Sequence, residues 1–234
     1  MSDFVFTIDG RECTARPGQM IIEAAQENGV YIPRLCHYEG LKPVGSCRVC
    51  TIRVSGRYMA ACTQPVTSGM AIENNIPELQ DMRRALVEML FAEGNHFCPS
   101  CEKSGNCELQ ALAYRLQILV PRFPYLFPQR PVDASDPKLF LDGNRCIQCR
   151  RCVRAVLVEE DKNVFGFLNR SQHVSLAKDP ALASRLSEDQ ARRAMEVCPT
   201  GALLRKGVGF AVPVGRRKYD LGPIGSDIEK TNPR

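Results

Sequence analysis

Twelve cysteines in a chain of 234 residues are the feature that most constrains how this protein can fold. Residues 1–4 carry no basic patch followed by an apolar stretch, so we expect no secretory signal. No run approaches the roughly 18 consecutive apolar residues of a membrane-spanning helix. We therefore expect a cytoplasmic protein without a membrane span. In that reducing compartment, so many cysteines indicate metal ligation or catalysis rather than a disulfide framework.

The first group of cysteines has the spacing C-x10-C-x2-C-x11-C. Its members are Cys36, Cys47, Cys50 and Cys62. Plant-type 2Fe–2S proteins use C-x4-C-x2-C and a distant fourth cysteine, and this chain keeps the central pair and the distant fourth while widening the first interval. Gly45 and Ser46 would let backbone amides approach the cluster sulfurs. The group predicts a 2Fe–2S cluster, with a four-thiolate structural zinc site as the open alternative.

The second group adds a histidine, in the pattern H-x-C-x2-C-x5-C. Its members are His96, Cys98, Cys101 and Cys107. Three thiolates and one imidazole make four ligands, which predicts a 4Fe–4S cluster. The neutral imidazole leaves the cluster less negative and should favour its reduced form. Two alternatives stay open: a zinc site with the same ligands, or a loop histidine beside a cluster whose fourth ligand lies elsewhere.

The third group is C-x2-C-x2-C followed by a distant Cys-Pro, as in bacterial ferredoxins. Its members are Cys146, Cys149, Cys152 and Cys198. Val156 stands where a two-cluster ferredoxin would place its next cysteine, so we expect one 4Fe–4S cluster here, zinc being the alternative. Cys13 is left over and is predicted to be a buried apolar residue. His37 follows Cys36, and we expect it to pack or hydrogen-bond rather than to ligate.

The residue pattern predicts an α+β chain whose N-terminal part is a small mixed sheet wrapped on one helix. Alternating residues 4–8, an Asp9-Gly10 turn and residues 11–16 indicate a hairpin. Residues 20–28 have helical spacing, and strands are expected at 48–54, 57–61 and 70–73. These elements predict a β-grasp domain of the 2Fe–2S ferredoxin type over residues 1–76.

The rest of the chain divides by composition into four segments. Pro77 should begin a helix that ends before Gly94, and a second helix follows the Ser104-Gly105-Asn106 turn, which together predict a helical 4Fe–4S domain at 77–120. A proline-rich connector is expected at 121–139 and a ferredoxin-like 4Fe–4S domain at 140–206. The Gly- and Pro-rich stretch 207–234 predicts an extended tail that orders on a partner or a neighbouring domain.

Other function classes find no support in the sequence. The net charge is +5, and the basic residues are scattered, which does not indicate nucleic-acid binding. There is no G-x-G-x-x-G after a strand, no phosphate-binding G-x-x-x-x-G-K and no nucleophile elbow, so we expect no NAD, FMN or nucleotide site. Only Cys13 is spare, which excludes a nickel site of the hydrogenase type. The chain is therefore predicted to conduct electrons without catalytic residues of its own.

The order of the motifs resembles the N-terminal part of the large iron–sulfur subunit of respiratory complex I over about residues 1–206. The resemblance rests on Cys107-Glu108-Leu109-Gln110, on the segment from Cys146 to Arg154, and on Cys198-Pro199-Thr200-Gly201-Ala202-Leu203. We expect no molybdopterin-type or hydrogenase catalytic domain after these motifs. The stretch 94–101 and the tail 208–215 are similar to the diaphorase small (gamma) subunit of soluble NAD-reducing nickel–iron hydrogenases.

This resemblance implies a relay subunit that passes electrons between a flavin- and NAD-binding diaphorase large subunit and the small and large hydrogenase subunits. FMN, NAD and the nickel–iron centre would lie on those partners. It implies the same eleven cysteine ligands, but the complex I pattern has H-x3-C where this chain has H-x-C at His96. Two other functions remain open: the same relay in an NAD-dependent formate dehydrogenase or complex I-like assembly, and a zinc-stapled scaffold that binds partners.

Overall fold

The N-terminal hairpin forms because a tight turn joins two alternating segments. A computed structural model describes residues 3–159 and 161–230 of the protein. In it, β1 (Phe4–Ile8) pairs antiparallel with β2 (Arg11–Ala15). Asp9 and Gly10 both have positive φ, 51° and 80°, as the two central residues of a type I′ turn require. The hairpin predicted from the sequence is therefore present.

A five-stranded sheet with one helix on its face makes up the first module (residues 3–76). After α1 (Ile21–Glu27), the strands are β3 (Thr51–Val54), β4 (Arg57–Ala60) and β5 (Ala71–Glu73). The strand order is β2-β1-β5-β3-β4, in which β1 and β5 run parallel. Phe6, Ile21 and Ile52 belong to the core between sheet and helix. The strand predicted from residue 48 begins only at Thr51, because Arg48 has a φ of 60° and residues 47–50 form a loop.

Two helices form the middle module (residues 77–120). They are α2 (Pro77–Ala92) and α3 (Glu108–Arg115). Proline fits the first helical position because its missing N–H would have no partner there. Val87 and Leu112 share a core with Leu35 and Val49 from the cysteine loop of the first module. The first two modules are thus packed on each other. Residues 117–131 contain no helix or strand and expose several apolar side chains, including all of Leu119.

The third module (residues 140–206) combines short strands with three helices, the first and last of which face each other. Its elements and the strand before it are β6 (Val132–Asp133), β7 (Leu139–Asp142), α4 (Arg151–Ala155), β8 (Leu157–Val158), β9 (Lys162–Asn163), β10 (Phe165–Leu168), β11 (Ser175–Lys178), α5 (Pro180–Ala183), α6 (Glu188–Val197) and β12 (Leu203–Arg205). The antiparallel sheet β12-β7-β6 and the pairs β10-β11 and β8-β9 surround an apolar core. α4 and α6 carry cysteines at or beside their ends.

The tail packs on the middle module of its own chain. The Arg115 guanidinium donates to the Ile224 carbonyl at 2.8 Å, and the Lys218 amide donates to Asn106 at 2.9 Å. The tail predicted to be extended contains a short helix, α7 (Ser226–Lys230), so the chain is not extended over these five residues. Residues 231–234 of the predicted tail lie outside the described residues. Within the described ranges, no helix has the length and apolarity needed to cross a membrane.

Candidate iron–sulfur sites

The four cysteines of the first module lie around the loop 36–50 and the turn that follows β4. Cys36 and Cys62 are fully buried and Cys50 is 1% exposed, whereas Cys47 is half-buried. The Cys36 amide donates to Cys47 Sγ at 3.3 Å. Gly45 has a φ of 62°, and a Cβ there would come within 3.2 Å of Thr63 Cγ2. Glycine therefore lets this loop turn tightly beside the thiols.

Hydrogen bonds among these thiols favour negative charge on two of the four sulfurs and disfavour it on the other two. Hydrogen bonds from Cys47 and Cys62, helped by the Cys47 amide and the Ser46 hydroxyl, hold the pKa of Cys36 far below its usual range. Cys62 similarly lowers the pKa of Cys50. The pKa values of Cys47 and Cys62 are raised by their contacts with Cys36 and by burial. Cys36 and Cys50 are therefore the two members of this set at which the thiolate, the form in which cysteine binds iron, is favoured.

The middle-module residues lie around one cavity, which His96 lines together with Cys98, Cys101 and Cys107. Cys107 is the N-cap of α3, and its Sγ accepts the amide of Gln110 at 3.5 Å. Burial raises the pKa of Cys107 to about 12. A Cβ on Gly201 would lie 2.5 Å from Cys101 Sγ. The third module therefore supplies part of the wall of this cavity.

His96 is a neutral imidazole at the edge of the same cavity. Burial lowers the pKa of His96 to about 4, so the ring is uncharged near neutral pH. Its Nε2 is buried and has no hydrogen-bond partner. That nitrogen lies against Gly94, where a Cβ would come within 2.2 Å, and the ring meets Phe91 edge-on at 5.3 Å. The imidazole is thus neutral, as a metal ligand must be. Its Nε2 atom, however, faces the end of α2.

The third-module cysteines line one cavity, with all four in its wall. Gln148 and Arg150 have φ values of 54° and 60°, which curl the loop, and the Gln148 amide donates to Cys146 Sγ at 3.4 Å. Burial raises the pKa of Cys149 to about 12. Cys198 is the C-cap of α6, so the helix fixes where the distant fourth thiol enters the site.

The donor sets fit iron–sulfur clusters. Each set contains a cysteine sulfur that accepts a backbone N–H, which is the contact that stabilises and tunes such clusters. No three His, Cys, Asp or Glu side chains within residues 3–159 and 161–230 are arranged to hold a single metal ion. Zinc needs four ligands within about 2.3 Å of one point. The donor side chains of the middle and third modules lie around cavities rather than around one such point.

The third site contacts both other sites. Arg154, two residues after Cys152, donates to the carbonyl of Cys36 at 2.8 Å. Arg145, just before Cys146, lies 3.6 Å from Cys101 Sγ. Arg151 is 1% exposed and makes two hydrogen bonds of 2.7 Å to Glu108 at the start of α3. The three sites thus form one contiguous unit joined by arginines.

Sequence reasoning missed these arginines and a further one, Arg83, on α2. Arg151 and Arg154 lie inside the third cysteine motif, and their position there was the available signal. Arg83 is 1% exposed and lies between the buried Leu79 and Val87, one turn from each. A charged residue on an otherwise apolar helix stripe is the signal that would have found it.

One cysteine and two histidines lie outside the predicted ligand sets, and they differ in burial. Cys13 is 2% exposed in the core of the first module. His37 is 5% exposed, and its Nδ1 has no hydrogen-bond partner. It lines a separate cavity with Tyr31 and Tyr219, away from the sulfurs. The structure therefore places His37 outside the four-cysteine site, while His173 is exposed on the surface.

Comparison with known proteins agrees with this architecture. Three family models match successive parts of the chain: a 2Fe–2S iron–sulfur cluster binding domain at 3–77, an NADH-ubiquinone oxidoreductase-G iron–sulfur binding region at 83–122, and the ferredoxin-like domain of NADH-quinone oxidoreductase subunit 3 at 136–204. The chain is an iron–sulfur protein of mixed helix and sheet. It carries a 2Fe–2S domain and 4Fe–4S domains of the type found in these oxidoreductases.

Individual relatives are more specific. The HoxS gamma chain of the NAD-reducing hydrogenase of Cupriavidus necator is 46% identical over 93% of this chain and 94% of its own. A crystal structure of NAD+-reducing nickel–iron hydrogenase in the H2-reduced state matches with a TM-score of 0.88 and 42% identity, over 95% of both chains. The mitochondrial 78 kDa subunit of NADH-ubiquinone oxidoreductase from Neurospora crassa is 32% identical over 95% of this chain, which spans only 31% of that relative. The chain belongs to the family of iron–sulfur electron-relay subunits that includes the gamma chain of NAD-reducing hydrogenase.

Proposed function

We propose that this protein relays electrons between a flavin- and NAD-binding diaphorase subunit and the small and large subunits of a cytoplasmic hydrogenase. FMN, NAD and the nickel–iron centre belong to those partners in this proposal. The observation that carries it is the sequence match to the hydrogenase gamma chain along nearly the whole of both chains. The contiguous arrangement of the three sites supports it, because electrons can then pass through this one subunit.

The proposed cofactors are one 2Fe–2S cluster and two 4Fe–4S clusters. The ligands are Cys36, Cys47, Cys50 and Cys62 for the first, His96, Cys98, Cys101 and Cys107 for the second, and Cys146, Cys149, Cys152 and Cys198 for the third. Iron–sulfur clusters supply reversible one-electron transfer. The chain holds these cysteines in largely buried sites and directs backbone N–H groups at sulfur, which makes the added electron less costly. The domain limits 1–76, 77–120, 121–139, 140–206 and 207–234 are part of the proposal.

The proposal is tested by hydrogen-dependent NAD+ reduction in a complex isolated anaerobically from its native cells. The complex should contain nickel and flavin, together with about ten irons on this subunit from one binuclear and two cubane clusters. Reconstitution of the partners without this chain should abolish NAD+ reduction. Hydrogen oxidation with an artificial dye should survive, because it needs only the hydrogenase subunits. Unchanged NAD+ reduction without the chain would refute the relay.

A second candidate keeps the relay and changes the terminal catalyst. It is supported by the match to the 78 kDa chain of NADH-ubiquinone oxidoreductase over 95% of this chain. The same isolation distinguishes the two, because formate-dependent NAD+ reduction with molybdenum or tungsten would identify a formate dehydrogenase. Quinone-dependent activity in the absence of nickel would identify a complex I-like assembly. Stoichiometric zinc without iron would identify a scaffold instead.

A further inference from the structure

Arg83 is a buried cation with no acidic partner among the described residues. Its guanidinium donates to the carbonyl of Thr51 at 2.8 Å, to the carbonyl of Asn74 at 2.8 Å and to Asn74 Oδ1 at 2.7 Å. All three acceptors are neutral. Among the ion pairs of the described residues none involves Arg83, and its Nε has no hydrogen-bond partner. Arg83, which is only 1% exposed, is therefore stabilised by hydrogen bonds to neutral polar groups and by no ion pair within the described part of the chain.

The contrast with Arg151 shows that this arrangement is unusual in the molecule. Arg151 is equally buried, but the Glu108 carboxylate makes a two-pronged ion pair with it. Asp9, the acidic residue near Arg83, accepts the amides of Asn74 and Asn75 and does not contact the guanidinium. A buried charge without an ionic partner costs several kcal/mol, and an opposite charge nearby would offset that cost.

The four-cysteine site of the first module can supply that charge. Thr51, which accepts from Arg83, directly follows Cys50, and Arg83 and the Cys50 thiolate attract each other. A binuclear cluster with four thiolates carries two net negative charges when oxidised and three when reduced. Burial lowers the pKa of Arg83 only to about 10, so the guanidinium stays charged at neutral pH.

We propose that Arg83 is the buried counter-charge of the first-module cluster and raises its reduction potential. The inference rests on the proposed function, because it requires a cluster at those four cysteines. A fixed cation stabilises the reduced cluster more than the oxidised one, since reduction adds one negative charge. Arg83 is a positioning residue: it touches no iron ligand side chain and acts through the electric field.

The test exploits Asn74, which already accepts from Arg83. Asn74→Asp keeps the acceptor oxygen and nearly the same shape but places a carboxylate on the guanidinium, which neutralises its field. We expect the midpoint potential of the 2Fe–2S EPR signal in the whole complex to fall by about 59 mV. That shift corresponds to a tenfold loss in the equilibrium constant for a one-electron reduction. The midpoints of the two 4Fe–4S signals should stay in place.

Asn75→Asp is the matched control. It adds the same charge at the next residue, but its side chain is exposed and does not contact Arg83. Its effect should be several-fold smaller because water screens it. If Asn74→Asp leaves the 2Fe–2S potential unchanged, or shifts it no more than Asn75→Asp does, then Arg83 is only a structural residue and the proposal is overturned.

A second pair of variants covers the case in which Asn74→Asp does not retain iron. Arg83→Lys keeps the charge and should keep the wild-type potential, whereas Arg83→Gln should lower it. Equal potentials in these two variants would overturn the proposal. A wild-type complex without any 2Fe–2S signal would instead refute the proposed function, so the two failures are distinguishable.

Discussion

At the scale of single residues, the sites depend on how closely backbone and glycine approach the sulfurs. One thiol in each site accepts a backbone N–H at 3.3–3.5 Å. Gly201 approaches Cys101 so closely that no side chain fits between them. These contacts stabilise negative sulfur and fix its position. Small changes at such positions should therefore affect the clusters more than they affect the fold.

Gly201→Ala should disrupt the middle cluster. The new Cβ would lie 2.5 Å from Cys101 Sγ, so the thiol or the loop must move. We expect loss of about four of the ten irons, or a changed EPR spectrum of that cluster. Gly166→Ala is the control, because a Cβ there meets nothing within 4 Å and should retain all the iron. Wild-type iron and spectrum in Gly201→Ala would contradict the tight approach.

Removing a single ligand should remove a single cluster. Cys149→Ala takes one thiol from the third cavity, and we expect about six irons to remain out of about ten, because the other sites keep their own ligands. Cys13→Ala is the matched control: Cys13 is equally a buried cysteine but lies in an apolar core, and this variant should keep all of its iron. Iron loss from Cys13→Ala equal to that from Cys149→Ala would refute the assignment of ligands.

At the scale of elements, two of the proposed ligands lie where a helix begins or ends. Cys107 caps the start of α3, and Cys198 caps the end of α6. Helix termini leave backbone groups without partners inside the helix, and at α3 the Cys107 sulfur uses such an N–H. The stability of a helix therefore controls the position of its ligand.

Loss of the N-cap of α6 should loosen this helix. Ser187 and Gln190 form a capping box there, with both hydrogen bonds present. Ser187→Ala should lower the free energy of opening α6 by about 1 kcal/mol, because an N–H near the start of the helix loses its acceptor. Hydrogen exchange of the α6 amides would then be about fivefold faster. Ser184→Ala is the control, since the Ser184 hydroxyl donates to the carbonyl of Ala181 inside α5 and does not cap α6. Equal exchange in both variants would contradict the prediction.

At the scale of the whole molecule, buried ion pairs and shared walls join the modules. Arg151 links the third module to the start of α3, where the Glu108 amide also donates to Pro199 at 2.8 Å. Burial by itself lowers the pKa of Arg151, but the Glu108 carboxylate outweighs it and raises this pKa above its ordinary value. Arg151 therefore stays charged, and its ion pair with Glu108 holds two cluster sites in a fixed relation.

Breaking this pair should be strongly destabilising. Glu108→Gln leaves the Arg151 charge buried without a partner, at a cost of about 3–5 kcal/mol in the free energy of unfolding. The double variant Glu108→Gln with Arg151→Met should recover much of that loss. Urea denaturation followed by cluster absorbance would measure both. The exposed pair Arg192–Asp189 is the control and should contribute about 0–1 kcal/mol. A loss for Glu108→Gln no larger than for the control would show that the pair does not join the modules.

Much of the fold and the composition of the sites follow from local pattern. The hairpin, α1 and α2 were predictable because alternation, helical spacing, a type I′ turn and a first-turn proline each act within a few residues. The late start of β3 was not predictable from local pattern, because Arg48 adopts a positive φ within the cysteine loop. The helix α7 was missed, since a short helix in a Gly- and Pro-rich tail forms by packing on another module.

The sequence by itself determined which cysteines form each set, because ligand spacing is a property of the chain and a loop of a few residues brings neighbouring thiols together. Only the tertiary structure decided what surrounds those sets. It placed Gly201 of one module against Cys101 of another, and it set Arg151 on Glu108. It also left Arg83 without an acid beside the first site. These are contacts between residues distant in sequence, and their energies depend on burial and distance, which no local pattern records.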